Sequence, residues 1–443
     1  MAAVARAHYP SPMPRFIPAE TAQRAAPPVP CAAWRIHERQ EGTEVAHLLE
    51  DTARGRFFRL TDQGRFIWER LDGALTASDL RRAYRDRYGV DDQGMIASLL
   101  ASLDRQGFLA APVASALPGQ PGGPARSPGL GFAGTAYRLL TASVTLEGVD
   151  APLATLYRRG GRLLFTPLAR IAWFLLVALG GAMFLSLWAG QRIPVAAASA
   201  GWLVPTLLVL GWAVHVPLHE LQHALTATHL GRRVRRAGIG WFWFVPVCWT
   251  DTSEMWLEGR RRRFAVDAAG PYSNLVMGGA LALLLPLLPA GGLQSGLFDV
   301  ALMLYAGFLS GMNPLLENDG YYLLEDLLGT EGLRPGALRF FAGGPAAWRG
   351  HRLARAEWGY LLYALSGLAY LTFACWQLAT VYQAQVQQLL TPLIAPSAAQ
   401  ALGWVLPGLF AGLVIAGLAH EVATARRAPA SSGGAPLEQR INK

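Results

Sequence analysis

The sequence has few charged residues, few cysteines and almost no lysine. Charged residues make up 16% of the 443 positions and hydrophobic residues 52%. This composition is too apolar for an ordinary soluble protein. Because the apolar residues are clustered in long runs, they indicate membrane spans rather than one large core. The formal net charge of +9 is carried almost wholly by arginine. In a membrane protein such an excess more often marks cytoplasmic loops than a nucleic-acid-binding surface.

The three cysteines lie far apart and share no CxxC spacing; they are Cys31, Cys248 and Cys375. This distribution suggests neither a disulfide framework nor a cysteine-based zinc site. Residues 1–30 are rich in proline, alanine and arginine but lack the apolar core of a secretory signal. We therefore expect a disordered leader and no cleaved signal peptide.

Residues 31–112 have the composition of a soluble domain. The stretch Glu44–Leu60 alternates between apolar and polar residues around a turn at Arg54-Gly55, which predicts a β-hairpin. Three short helices are expected after it, since a capping residue precedes each apolar run; these residues are Thr61, Thr76 and Asp92. A hairpin with three helices is a winged-helix pattern, so we predict an α+β domain here.

Six apolar segments follow a Pro/Gly-rich stretch at 113–134, which is predicted to be a flexible linker. Each segment is long enough to cross a bilayer as a helix, so residues 135–425 are predicted to form a mainly α, six-span transmembrane helical bundle. The arginines concentrate in alternate loops, and the positive-inside rule therefore places both termini in the cytoplasm. Residues 426–443 are expected to be a disordered tail. The six segments are 169–189, 202–225, 270–289, 298–318, 358–382 and 400–419.

The motif His219-Glu220-Leu221-Gln222-His223 lies within the second apolar segment. Histidines four residues apart share one helix face and can bind one Zn²⁺, and the glutamate between them can deprotonate a water molecule at the metal. The alternative is a surface helix with two solvated histidines, but these residues are costly within an apolar span unless they serve a function. Catalytic zinc usually has three protein ligands. Asp319, at the inner end of the fourth segment, is the best candidate for the third, with Glu317 as its competitor.

These residues resemble the site-2 protease family of intramembrane zinc metallopeptidases, over roughly residues 140–425. That family pairs an HExxH helix with a Gly-Pro plus Asn element and a later Asn/Pro-rich stretch that ends in Asp-Gly. The matching positions are His219, Glu220, His223, Gly270-Pro271-Tyr272-Ser273-Asn274 and Asp319-Gly320. The chain departs from the pattern at Asn318, where the family usually has Leu, and in the compressed spacing after Asn313-Pro314. The run NPLLENDGYYLLEDLL is similar to a branch of peptide zinc metalloproteases from bacterial peptide-maturation and export clusters.

The resemblance implies a zinc metalloendopeptidase of the bacterial inner (cytoplasmic) membrane, with Zn²⁺ as cofactor and Asp319 as the third ligand. Asn274 and Asn313 are expected to orient substrate or support the ligands. His215 lies one turn before the motif and is a supporting group, an alternative ligand or a histidine hydrogen-bonded within the bundle. In this family Trp241–Trp249 would be a re-entrant hairpin whose edge holds an extended peptide; an interfacial aromatic anchor is the alternative.

Residues 47–73, HLLEDTARGRFFRLTDQGRFIWERLDG, are similar to a PqqD-like domain, the recognition element of ribosomally made peptides. There a leader peptide adds a strand to the hairpin edge. DNA binding competes with this interpretation, but the arginines at 81–87 are interleaved with acids, so the face is not strongly cationic. A domain that only regulates or stabilises the rest of the chain is a third interpretation. The partners expected are a peptide or membrane-protein substrate, the lipid bilayer and an exporter or membrane-fusion protein, and no nucleic acid.

The function expected is hydrolysis of a peptide bond in or near the membrane, in the maturation or export of a ribosomally made peptide. The competing interpretation is a non-proteolytic membrane component of a peptide-export or self-protection system. The glutamate at position 220 favours the enzyme, because a general base has no role in a binder. A transporter is disfavoured, since no paired, Gly-interrupted half-repeats are present.

Overall fold

The structure is a computed structural model that describes most of the chain between residues 28 and 442. The predicted leader up to residue 27 and the predicted linker lie outside the described residues. Those residues are 28–41, 44–110, 143–190, 192–193, 202–242, 245–315, 318–330, 332–342, 353, 355–377, 383, 387, 391, 394–405, 408, 412, 434–436 and 441–442.

The N-terminal domain is an antiparallel sheet packed against three helices. Its strands are β1 (Trp34–Glu41), β2 (Glu44–Asp51) and β3 (Arg56–Leu60), and its helices are α1 (Asp62–Trp68), α2 (Ala77–Tyr88) and α3 (Gln93–Arg105). The predicted hairpin and three helices are confirmed. Strand β1 was not predicted, because its mostly polar sequence lacks a clear apolar face; it pairs with β2 from Trp34 opposite Asp51 onward.

Local capping explains where these helices begin. Thr61 and Asp92 each accept a backbone N–H from the first turn of their own helix, and Thr76 forms a reciprocal capping box with Asp79. Such a cap stabilises a helix by about 1 kcal/mol. The apolar faces meet in one core, which includes Leu49, Phe58, Trp68, Leu80, Leu99 and Phe108.

The second half of the chain is mainly helical. After strand β4 (Ser143–Glu147), its helices are α4 (Asp150–Arg159), α5 (Pro167–Ala189), α6 (Leu203–His229), α7 (Arg260–Asp267), α8 (Ala269–Leu284), α9 (Gly292–Gly311), α10 (Asp319–Leu328), α11 (Leu333–Ala342) and α12 (Arg355–Gln377). Among the described residues, four helical runs are long and apolar enough to cross a membrane: α5, α6, the run Arg260–Leu287 and α9.

The predicted count of six spans is not confirmed. The fifth predicted segment, 358–382, is described as far as residue 377, where it forms most of α12, a helix that is not one of the four. Of the sixth segment, 400–419, only residues 400–405, 408 and 412 are described.

The fourth predicted span was placed too late in the sequence. It was expected at 298–318, whereas α9 already ends at Gly311. Pro314 has no backbone N–H, and the residue before a proline avoids helical geometry. In the same place the Asn313 side chain accepts a hydrogen bond from the Leu315 backbone N–H, 3.0 Å away. Asp319 is therefore the first residue of the next helix, α10, and not the last residue of a span.

Helices α5 and α8 pack closely because glycines face each other where they cross. A side chain built on Gly180 would place its Cβ under 3.0 Å from the backbone of Gly279. Small residues at such crossings let membrane helices approach and gain van der Waals contact. This contact fixes α8, which also packs against α6 and α9, next to the histidine motif.

A β-hairpin lies beside α6. It is formed by β5 (Arg236–Phe242) and β6 (Val245–Asp251), and β4 pairs antiparallel with β5. The described residues of Trp241–Trp249 thus lie in the two strands of a β-hairpin, and a re-entrant position or a peptide held at its edge stays a prediction. Two short strands from the predicted disordered tail also pair with the sheets: β7 (Gly434–Pro436) with β3, and β8 (Ile441–Asn442) with β6.

The N-terminal domain is fastened to the segment that surrounds this hairpin. The guanidinium of Arg235 donates to the Thr52 carbonyl oxygen at 2.8 Å and to the carboxylates of Glu50 at 3.1 Å and Glu254 at 2.9 Å. A second contact joins the Arg39 guanidinium to the backbone carbonyl of residue 256. The hairpin β2–β3 is therefore held against the chain that enters and leaves β5–β6.

Candidate metal centre

Helix α6 brings the two histidines of the motif onto one face. The Nε2 atoms of His219 and His223 lie 3.2 Å apart, and both side chains are buried. Pro217 lies inside the same helix, two residues before the motif. Four-residue spacing on a helix accounts for this pair without any tertiary contact.

A carboxylate from a helix later in the chain, α10, completes the cluster. Asp319, which is 1% exposed at the start of α10, places Oδ2 3.1 Å from His219 Nε2 and Oδ1 3.3 Å from His223 Nε2. Within the described residues these three side chains form a group whose potential ligand atoms all lie within 4.8 Å of one another. Two imidazoles and one carboxylate of this kind can hold a metal ion.

The other imidazole nitrogens are already occupied. His223 Nδ1 lies 2.7 Å from the Val266 carbonyl oxygen, and His219 Nδ1 lies 3.2 Å from Asn274 Oδ1. A carbonyl oxygen can only accept, so Nδ1 of each neutral ring is the donor and Nε2 keeps its lone pair. Both lone pairs therefore face Asp319, as they do in histidines that bind metals.

Glycine keeps the space beside the two histidines open. A Cβ built on Gly270 would lie under 3.0 Å from Nε2 of both His219 and His223. Gly320, which follows Asp319, also allows a close approach, since its Cβ would lie under 3.0 Å from the backbone of Met312. The first approach lets α8 reach the histidine helix, and the second lets α10 begin against the end of α9.

Glu220 lies between the two histidines and is 5% exposed. Its Oε2 atom has no hydrogen-bond partner among the described residues. Its backbone carbonyl accepts a hydrogen bond from Thr250 Oγ1 of β6 at 3.3 Å, which fastens the hairpin to the same turn of α6. The arrangement leaves a buried carboxylate oxygen free to accept a proton next to the cluster.

Electrostatics favour the ionised form of Asp319. Burial alone would raise the pKa of this carboxyl, but the adjacent His223 and His219 outweigh it and hold the pKa at about 2. An ionised carboxylate is the form that binds a cation.

The remaining predicted residues are placed differently. Asn274 touches His219, whereas the Asn313 side-chain oxygen is used by the backbone of its own turn. His215 lies one turn from His219, with ring centroids 6.1 Å apart, and is outside the three-residue cluster. Glu317, the predicted competitor of Asp319, lies outside the described residues.

Two contacts at this centre were not found from the sequence. The Val266 carbonyl contacts His223 and the Thr250 hydroxyl contacts the Glu220 carbonyl, and in each pair the two residues are more than 25 positions apart in the sequence. A backbone carbonyl has no residue-type signature, and threonine is common in strands, so no sequence signal distinguishes either group.

Comparison with known proteins identifies the N-terminal domain alone. The family model described as PqqD, Coenzyme PQQ synthesis protein D, matches residues 46–109. The matched region runs from β2 to the end of the helical domain and lies within the predicted range 31–112. No curated protein and no solved structure matches the chain.

Proposed function

We propose that this chain is a membrane zinc metallopeptidase whose metal is held by His219, His223 and Asp319. The single observation that carries the proposal is the convergence of these three buried side chains beside the free carboxylate oxygen of Glu220. A surface histidine pair would have no reason to meet a buried aspartate from a helix that starts 100 residues further along the chain.

The distances between the three side chains fit a zinc ion. Ligand atoms about 2.0–2.1 Å from a tetrahedral zinc lie about 3.3 Å from one another. The three separations between ligand atoms in the cluster are 3.1, 3.2 and 3.3 Å. Two histidines and one carboxylate also leave a fourth position open, which is typical of catalytic rather than structural zinc sites.

The proposed reaction is hydrolysis of a peptide bond. Zinc bound there would polarise the scissile carbonyl and make a water molecule more acidic. Glu220 then accepts the proton of the attacking water at Oε2 and returns it to the leaving amine. The glutamate suits this role because it is buried beside the ligands without being one of them.

The N-terminal domain supports a peptide as the substrate. PqqD-like domains are recognition elements of ribosomally made peptides, and this chain matches that family over residues 46–109. Arg235 fastens the hairpin of this domain to the segment that carries β5 and β6. In our proposal a peptide recognised there is held close to the metal centre and is cleaved during its maturation or export.

The membrane part of the proposal follows the site-2 protease resemblance. The four apolar helical runs and the arginine-rich loops support a protein of the bacterial inner membrane with both termini in the cytoplasm. Six spans, the bilayer and an exporter or membrane-fusion protein as partners remain predictions. A cytoplasmic reporter fused after residue 349 should be active, and an inactive fusion would contradict this orientation.

The test of the enzyme is Glu220→Gln in the full-length chain. Gln has nearly the same shape but cannot accept the proton, so zinc content should stay at about one per chain while peptide cleavage falls by roughly 10²–10⁴-fold. The measurement is zinc by elemental mass spectrometry, with peptides from host cells followed by mass spectrometry. Glu147→Gln, the same change at an exposed carboxylate of β4, is the matched control.

Full peptide processing by a zinc-loaded Glu220→Gln variant would contradict the protease. It would support the competing interpretation, a zinc-containing component of a peptide-export or self-protection system. Loss of zinc in that variant would instead mean that Glu220 is a ligand.

A further inference from the structure

His215 is a buried histidine that the proposed reaction leaves without a role. It lies on the same face of α6 as the metal-binding pair, one turn before His219, and is 7% exposed. Neither of its ring nitrogens has a partner at normal hydrogen-bond distance among the described residues, although the Asn274 side chain acts on the ring. This sets it apart from His219 and His223, whose Nδ1 atoms both have partners.

An imidazole in this state is costly to keep. A buried polar group without a partner costs about 1–3 kcal/mol. Polar side chains within apolar helices of a membrane protein are rare and usually functional. The side chain that acts on this ring is Asn274 of α8, which already contacts His219. The two nitrogens without a partner at normal hydrogen-bond distance therefore indicate a group that is satisfied only when something else binds.

A glycine of α9, Gly307, lies next to His215. A Cβ built on Gly307 of α9 would lie 3.7 Å from His215 Nε2 and 3.5 Å from Asn274 Nδ2, an ordinary contact distance for both. The glycine thus leaves space of about one methyl group beside two side-chain nitrogens. The space adjoins the metal centre, because Asn274 also contacts His219.

The hairpin is fastened to α6 on both sides of this turn. The indole of Trp212 donates to the Pro246 carbonyl at 3.2 Å, and Thr250 donates to the Glu220 carbonyl at 3.3 Å. His215 lies between these two attachment points in the sequence of α6. In the proposed function, a peptide lying along the hairpin and reaching the metal would pass the same two turns of the helix.

We propose that His215 binds the substrate by hydrogen bonding to a peptide group next to the scissile bond. A neutral imidazole carries one N–H donor and one acceptor nitrogen, which matches the carbonyl oxygen and the N–H of a peptide backbone. The inference rests on the proposed function, since it takes the ligand to be a peptide held at the metal. It assigns His215 to substrate binding and not to metal binding.

Two hydroxamates test this contact in the full-length, zinc-loaded protein. Acetohydroxamate reaches the metal only, whereas an N-acetyl dipeptide hydroxamate adds peptide groups beside it. His215→Ala should weaken the dipeptide hydroxamate by about 10-fold, the loss of about one hydrogen bond, and change acetohydroxamate affinity less than about 2-fold. His215→Gln keeps an N–H donor and should restore most of the difference. Calorimetry in detergent measures both affinities.

The matched control is His229→Ala. This exposed histidine lies at the end of the same helix and bonds the Tyr157 hydroxyl, so its loss should leave both affinities unchanged. Equal effects of His215→Ala on both hydroxamates, or no effect on either, would overturn the inference. Loss of zinc from His215→Ala would overturn it too, by assigning the residue to the metal. If neither hydroxamate binds the wild-type protein, the proposed function itself fails.

Discussion

Gly270→Ala tests the metal centre through its shape and leaves every ligand in place. The added Cβ would lie under 3.0 Å from Nε2 of His219 and of His223, where about 3.5 Å is needed for van der Waals contact. The overlap exceeds about 0.5 Å with two ligand atoms at once. Zinc ligands must be placed to within about 0.2 Å, so relief of the clash must spoil the coordination geometry.

The expected result is a large loss of zinc from a folded protein. We expect affinity to fall at least about 100-fold, which corresponds to roughly 2.7 kcal/mol. The zinc content of purified protein should drop from about one per chain to nearly none. Elemental mass spectrometry gives the content, and competition with a fluorescent zinc chelator gives the affinity. Circular dichroism checks that the helices remain.

Gly311→Ala is the matched control for this experiment. Its Cβ would lie 3.9 Å from Asp319 Oδ2 and from the Pro271 side chain, so it adds the same methyl group beside the same site without a clash. Zinc should remain bound in this variant. Wild-type zinc affinity in Gly270→Ala would refute the reasoning, because it would place the metal away from the space that Gly270 leaves open.

Three further changes test how the fold supports the site. Gly279→Leu should lower the thermal midpoint in detergent, because its side chain would collide with the backbone of Leu176 where α5 and α8 cross; an unchanged midpoint would contradict that packing. Asp326→Ala removes the carboxylate that lies 2.6 Å from Arg263 with both groups 1% exposed. Denaturant titration should show a cost of about 3–5 kcal/mol, and a cost below about 1 kcal/mol would refute the pair's role. Thr76→Ala should cost about 1 kcal/mol and speed amide exchange in α2, which equal exchange rates would disprove.

The N-terminal domain illustrates how much local sequence signals can predict. The turn at Arg54-Gly55 and the helix caps at Thr61, Thr76 and Asp92 depend on residues a few positions apart. The structure has each of them at the predicted position. Strand β1 carries no such signal, because pairing with β2 and not its own pattern makes it a strand. The end of α9 was misplaced for a related reason: apolar composition continues past Gly311, while Pro314 stops the helix.

The sequence by itself determined the histidine pair of the candidate site. The spacing of His219 and His223 places both on one face of any helix, whatever surrounds it. Their depth in an apolar run and the glutamate between them follow from the same short segment.

Only the tertiary structure decided what meets that pair. The packing of α7, α8 and α10 around α6 brings Asp319 to the two Nε2 atoms and gives the Val266 carbonyl to His223. Among the described residues it leaves both His215 nitrogens without a partner at normal hydrogen-bond distance. These contacts join residues 43 and 100 positions apart. Their distances depend on how helices cross, which is set by shape and close packing over the whole bundle and not by any pattern within one segment.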